Sequence, residues 1–154
     1  MAGIFSNFVG QWEGRNRLFL SWPTPSEFLS DTRLTVTELA DGSLLQLNYD
    51  WSHEGKPQQG ILLLAYDAEK NSATASWGDS WHASKKLLPS SGAIGDDGLV
   101  NLLGSFEAPP DPDWGWRILL KPVSGSEMQI AMYVIPPGEE EQEAVTANYR
   151  RLPG

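Results

Sequence analysis

Two short stretches hold most of the residues that could do chemistry. Trp77-Gly78-Asp79-Ser80-Trp81-His82 sets an acid, a hydroxyl and an imidazole among indoles, and Trp114-Gly115-Trp116-Arg117 sets a guanidinium beside two more indoles. An acid or an imidazole can fix the polar end of a ligand or move a proton. A guanidinium can grip a carboxylate through its planar fork. The indoles would give such a site flat apolar walls, and Trp51, Met132 and Tyr133 could extend them. Asp79, Ser80 and His82 lie too close together, and in the wrong phase, for a nucleophile triad.

Strand phase limits which of these can meet. On an unbroken strand Asp79 lies with Trp77 and Trp81, while Ser80 and His82 face the other side. One extended segment therefore cannot aim all three polar groups into one pocket unless a bulge, for instance at Gly78, changes the phase. Trp116 and Arg117 alternate, as do Met132 and Tyr133, so one member of each pair lines a cavity. The apolar period favours Trp116 and Met132, whereas an anionic ligand would require Arg117. The plainer alternative is that Asp79 and Ser80 bond turn backbone, His82 lies on the surface, and Arg117 pairs with a surface acid. His53, in a Gly/Pro turn, is expected to face solvent.

The elements that must carry these residues read as strands. Trp12 to Trp22 places Trp12, Leu18, Leu20 and Trp22 on one face, with Arg15, Arg17 and Phe19 on the other. Pro23 to Ser26 breaks the run, and Glu27 to Ser30 reads as a turn. Thr32–Leu39 and Ser43–Trp51 follow, joined by Asp41-Gly42, a two-residue hairpin signal. Gly60–Tyr66 and Ala73–Trp81 come next. Residues 82–95 stay open between strand, helix and loop, with Pro89 to Gly92 and Gly95 to Gly98 bracketing a loop. Leu99–Glu107, Trp116–Pro122, Met128–Ile135 and Ala144–Leu152 complete the row, with an extended Pro-stiffened connection over Ala108 to Asp113. Phe5, Phe8 and Val9 suit one helical turn capping an end. Consecutive hairpins predict one all-β domain over residues 1–154, an antiparallel up-and-down β-barrel of about 8–10 strands, because closure removes exposed edges. A two-sheet sandwich is the alternative.

Composition narrows the partners. The net charge is -9, which disfavours phosphate backbones and anionic membrane surfaces. Four acids in Glu139 to Glu143 read as a solvated hairpin tip. With no Cys, disulfides and thiolate metal sites are out. Two His make a metal site unexpected. Neither a secretory signal nor an apolar run long enough to span a membrane is seen, so a cytoplasmic protein is expected.

Gly10-Gln11-Trp12, just ahead of the first long strand, resembles the signature of the calycins, the superfamily of lipocalins and fatty-acid-binding proteins. The resemblance implies a basic residue of the last strand packed across Trp12, a place that Arg150 or Arg151 could fill. Asp79 to His82, Trp114 to Arg117, Met132-Tyr133 and Pro136 to Gly138 together resemble an uncharacterised bacterial calycin-like family, which implies a fold and no activity. Gly10 to Gly14 is also similar to the start of nitrobindin, a haem-binding barrel. That family's haem ligand is a His near the C-terminus, and nothing after His82 here is an imidazole, so haem is disfavoured. No cofactor is expected.

The functional expectation is a small-molecule-binding protein. Its cavity would hold an apolar or aromatic ligand, with organic acids among the candidates and homo-oligomers compatible. The alternatives are a barrel enzyme or isomerase, needing Asp79, His82, Arg117 or Tyr133 to converge, and a structural role for a filled barrel.

Overall fold

A computed structural model describes residues 4–82 and 85–154. Ten antiparallel strands close into a barrel in the order β1-β10-β9-β8-β7-β6-β5-β4-β3-β2, so each strand pairs with its neighbours in sequence and β1 closes on β10. The strands are β1 Gly10–Leu20, β2 Ser26–Leu39, β3 Leu44–His53, β4 Lys56–Asp67, β5 Ser72–Asp79, β6 Leu88–Ile94, β7 Val100–Ala108, β8 Asp111–Pro122, β9 Glu127–Ile135 and β10 Gln142–Arg151. A 3-10 turn, Ala40–Gly42, joins β2 to β3. The up-and-down barrel expected from the hairpins is therefore the fold.

Alternation fixes what points inward. Leu45, Leu47 and Trp51 on β3, Leu62 and Leu64 on β4, and Trp116, Ile118 and Leu120 on β8 are all buried, while the residues that alternate with them face out. A register slip by one residue would turn every one of these to solvent. The two-residue turn after β3 has Glu54 and Gly55 at φ 50° and 80°, and His53 pairs with Lys56 across it. Positive φ at both central residues matches the twist of the flanking strands.

Several boundaries differ from the sequence reading. β1 starts two residues earlier and ends at Leu20, so Trp22 is not on the inner face but 82% exposed. Glu27 to Ser30 is strand, because β2 pairs with β1 from Ser26 onward. Asp41-Gly42 lies in a four-residue connection, since Leu39 pairs with Leu44. The open segment 82–95 contains β6, and Pro89 to Gly92 lie inside it; residues 83 and 84 fall outside the described residues. The Ala108 to Asp113 connection is shorter than expected, with Asp111 already paired to Ala108. At the N-terminus Phe8 N–H donates to the Phe5 carbonyl at 2.9 Å, a single turn whose two phenyl rings are buried under one end of the barrel.

Candidate functional site

The barrel has two ends of opposite character. The floor is built on the pairing of Trp12 with Arg151 across β1 and β10. Trp12 is fully buried, and its indole N–H donates to the Phe8 carbonyl at 2.9 Å. The Arg151 guanidinium carbon lies 4.2 Å from the Trp12 ring centroid. The same guanidinium donates to the carbonyls of Val9, Asn7 and Gly125. A Cβ on Gly10, at φ +136°, would meet Arg151 Nη1 at 2.6 Å, so only glycine fits there. Arg150, one residue out of phase, faces solvent 3.7 Å from Glu13. The register thus settles which arginine crosses Trp12.

The other end, the mouth, gathers most of the residues singled out from the sequence. Tyr49, Trp51 and His53 reach it from β3, Trp77 and Asp79 from β5, and Trp116 from β8. β5 stops at Asp79, and there the carboxylate turns the chain. Asp79 Oδ1 accepts the backbone N–H groups of Trp81 at 2.8 Å and His82 at 3.0 Å. This local turn is a habit of Asp side chains. It resets the strand phase, so His82 folds inward rather than out. Ser80 stays on the outer side, donating to Gln58 Oε1 at 2.7 Å. The change of phase is made by the Asp79 turn, not by a bulge at Gly78.

His82 sits among four indoles, with ring centroids at 4.7 Å to Trp81, 5.6 Å to Trp116, 5.7 Å to Trp51 and 5.9 Å to Trp77. Trp77 and Trp116 stack at 5.0 Å with 13° between planes. His82 Nδ1 faces Asp79 Oδ1 at 3.4 Å. An ionised carboxylate can only accept, so Nδ1 carries the hydrogen of this contact, and whenever the ring is uncharged it is Nε2 that presents the lone pair.

Asp79 Oδ2 accepts from the Tyr49 hydroxyl at 2.7 Å and Trp51 Nε1 at 3.2 Å, and Trp77 Nε1 donates to the Tyr49 oxygen at 2.9 Å. Burial alone would raise the Asp79 pKa. The contacts with His82 and the Tyr49 hydroxyl outweigh it and bring it from 3.8 to about 2. Burial, reinforced by the Asp79 charge, pushes Tyr49 well above its ordinary value, so the phenol stays protonated as a donor.

Not every polar atom at the mouth is met. His82 Nε2, His53 Nδ1, Trp114 Nε1, Trp116 Nε1 and Ser90 Oγ are buried with no hydrogen-bond partner among the described residues. His53 was expected in solvent. It continues the inward series of Tyr49 and Trp51 instead, and packs against Phe28 at 4.8 Å and Trp81 at 5.2 Å. Below the mouth, a cavity of about 10 Å³ is bounded by Asn16, Met132, Tyr149 and the Asp79–His82 pair. That is room for one water at most. A larger depression of about 1020 Å³ lies over β1–β5, with Arg33, Asp50 and Lys86 on its surface; it is open to solvent and carries charges of both signs, unlike an enclosing site.

Arg117 and Tyr133 do not reach the mouth. They pair with each other in register on the outer face, where Arg117 donates to Glu141 at 2.8 Å and Asn101 at 2.7 Å. Their neighbours Trp116 and Met132 are the buried members, as the apolar period indicates. Sequence reasoning passed over Tyr49, although it shares the Trp51 face at i, i+2. It also passed over Asn16, a buried polar residue between Trp12 and Leu18. Thr32 and Tyr149, whose hydroxyls meet at 3.0 Å, carried no sequence signal.

A closed ten-stranded barrel with a sealed floor and an aromatic, partly unsatisfied mouth is the class these features define. Within it, the chain belongs to the family described as "Protein of unknown function (DUF1579)", whose model matches residues 3–151. No curated protein matches. Among solved structures it resembles Rv2717c from M. tuberculosis at 16% identity and TM-score 0.66, covering 99% of both chains. It also resembles the S-type phycobiliprotein lyase CPES from Guillardia theta at 11% identity and TM-score 0.60, covering 97% of this chain and 91% of that one. At these identities the likeness is one of fold.

Proposed function

We propose that the protein binds a small apolar or aromatic molecule at the mouth of the barrel, with His82 as the polar anchor. The observation that carries this reading is the His82 ring. It is held by Asp79 on one nitrogen, unpartnered on the other, and surrounded by four indoles. Ligand sites pair apolar walls with a few fixed polar groups in this way. The organic-acid version loses its anchor with Arg117 on the outside. We also read the Trp12–Arg151 contact as a calycin-type floor, in line with a barrel that works from its other end.

The test is native mass spectrometry of the purified protein with solvent extraction, followed by tryptophan fluorescence titration with a panel of flat aromatic compounds. A co-purifying aromatic, or saturable quenching lost in His82→Phe, is the expected result. A clean mass with no quenching by any compound would leave a filled structural barrel instead.

A second reading draws on the Asp79–His82 contact alone. A base oriented by a carboxylate is the arrangement of a proton-transfer enzyme. Turnover abolished in both Asp79→Asn and His82→Phe would favour it over simple binding.

A further inference from the structure

The mouth already holds a ring of the chain's own. Trp81 is 36% exposed, while Trp51, Trp77 and Trp116 are buried. Its indole stands edge-on between two imidazoles, 5.2 Å and 61° from His53 and 4.7 Å and 76° from His82, with Trp51 at 6.0 Å. Each of those imidazoles has one buried nitrogen with no partner among the described residues. The indole fills the space between them and leaves both nitrogens unmet.

On the binding reading above, we propose that Trp81 is a displaceable plug, and that the ligand is a neutral hydroxylated aromatic. Its ring takes the place of the indole, and its hydroxyl meets an unpartnered imidazole nitrogen. Trp81 is the ring free to leave. Trp77 is tied to Tyr49 and stacked on Trp116, and Trp51 is tied to Asp79. Trp81 is held by its backbone N–H and by ring contacts. It also lies beyond the last paired residue of β5.

A hydroxyl suits the two nitrogens because it can donate to the His82 lone pair, and can serve either tautomer of His53. A carboxylate does not suit them. The Asp79 carboxylate already faces His82, and the guanidinium that could have balanced an anion pairs with Glu141 outside.

The experiment compares wild type, Trp81→Ala and Trp81→Phe by calorimetry at neutral pH. The probes are 2-naphthol, naphthalene and 2-naphthoate. Trp81→Ala is expected to bind 2-naphthol more tightly than wild type, with Trp81→Phe between them. In Trp81→Ala, 2-naphthol should exceed naphthalene by about fivefold or more, the worth of one hydrogen bond. It should exceed 2-naphthoate as well. In wild type, adding 2-naphthol should shift the Trp81 indole N–H resonance, identified by its absence from Trp81→Ala.

Equal affinity for naphthalene and 2-naphthol would reduce the site to an apolar hole and overturn the hydroxyl. Tightest binding of 2-naphthoate would overturn the neutral ligand. Equal affinities of wild type and Trp81→Ala, with an unmoved resonance, would overturn the plug. If these fail while other aromatics still quench wild type through His82, only this inference falls; if nothing aromatic binds either protein, the binding reading falls with it.

Discussion

Replacing Asp79 by asparagine separates the turn's hydrogen bonding from its charge. Oδ1 accepts two backbone N–H groups and faces His82 Nδ1, and Oδ2 accepts Tyr49 and Trp51. An amide can keep only one of those oxygens, so whichever way it turns, its NH₂ group faces donors. Leaving such buried donors unmet costs about 1–3 kcal/mol. The charge adds a part that depends on pH. The folded pKa of about 2 lies below 3.8, so the group stabilises the fold above pH 3.8 and loses that contribution as pH falls through about 2. The full contribution is about 2 kcal/mol, of which about 1 is gone by pH 3. Urea unfolding of wild type and Asp79→Asn at pH 5, 4 and 3 measures it. The gap between the two proteins should narrow as pH falls, because asparagine does not titrate. A gap that stays constant, or Asp79→Asn as stable as wild type at pH 5, would refute the account of the turn.

Arg151→Ala should lower stability by about 2–4 kcal/mol, because a cation–π contact and bonds to three carbonyls disappear together; Arg150→Ala should stay within about 0.5 kcal/mol in the same urea assay. A Cβ on Gly60 would lie 2.1 Å from the Tyr49 ring, so Gly60→Ala should cost about 1–3 kcal/mol. It should also weaken the Tyr49–Asp79 bond, read as a shift of the Trp51 and Trp77 indole N–H resonances. Arg117→Ala should cost about 0–1 kcal/mol, as a part-exposed surface pair does, and leave aromatic quenching at the mouth unchanged.

The fold was legible because period-two alternation and turn residues are local signals. Leu45 to Trp51 declares its inner face unaided, and so do Trp116 and Met132 against Arg117 and Tyr133. The site was legible only as a set of residue types. Six of its nine named members, Trp51, Trp77, Asp79, His82, Trp116 and Met132, are buried or partly buried inside the barrel, Trp81 is exposed at the mouth, and Arg117 and Tyr133 are on the outer face. What strand phase could not give was His82, whose direction depends on where β5 ends. That end is set by a side-chain bond from Asp79 to its own backbone neighbours, which no periodicity encodes. His53 was misjudged for the opposite reason. The turn residues around it suggested solvent, but a two-residue hairpin keeps strand phase up to its last pair, and His53 stays inside.

The contrast between the ends bears on what the barrel is for. Ten strands enclose more room than the eight whose side chains just fill the interior. Here large rings and methionines take up that room. At the floor this filling is complete: the Trp12 nitrogen and the Arg151 nitrogens all have carbonyl partners. At the mouth the same kinds of groups, two indole nitrogens and two imidazole nitrogens, are buried and unmet among the described residues. A chain selected only to plug its barrel has no use for polar nitrogens there, since phenylalanine or leucine would fill the space without leaving a donor or acceptor unpaired. The asymmetry follows if the floor is the part that folds and the mouth is the part that receives.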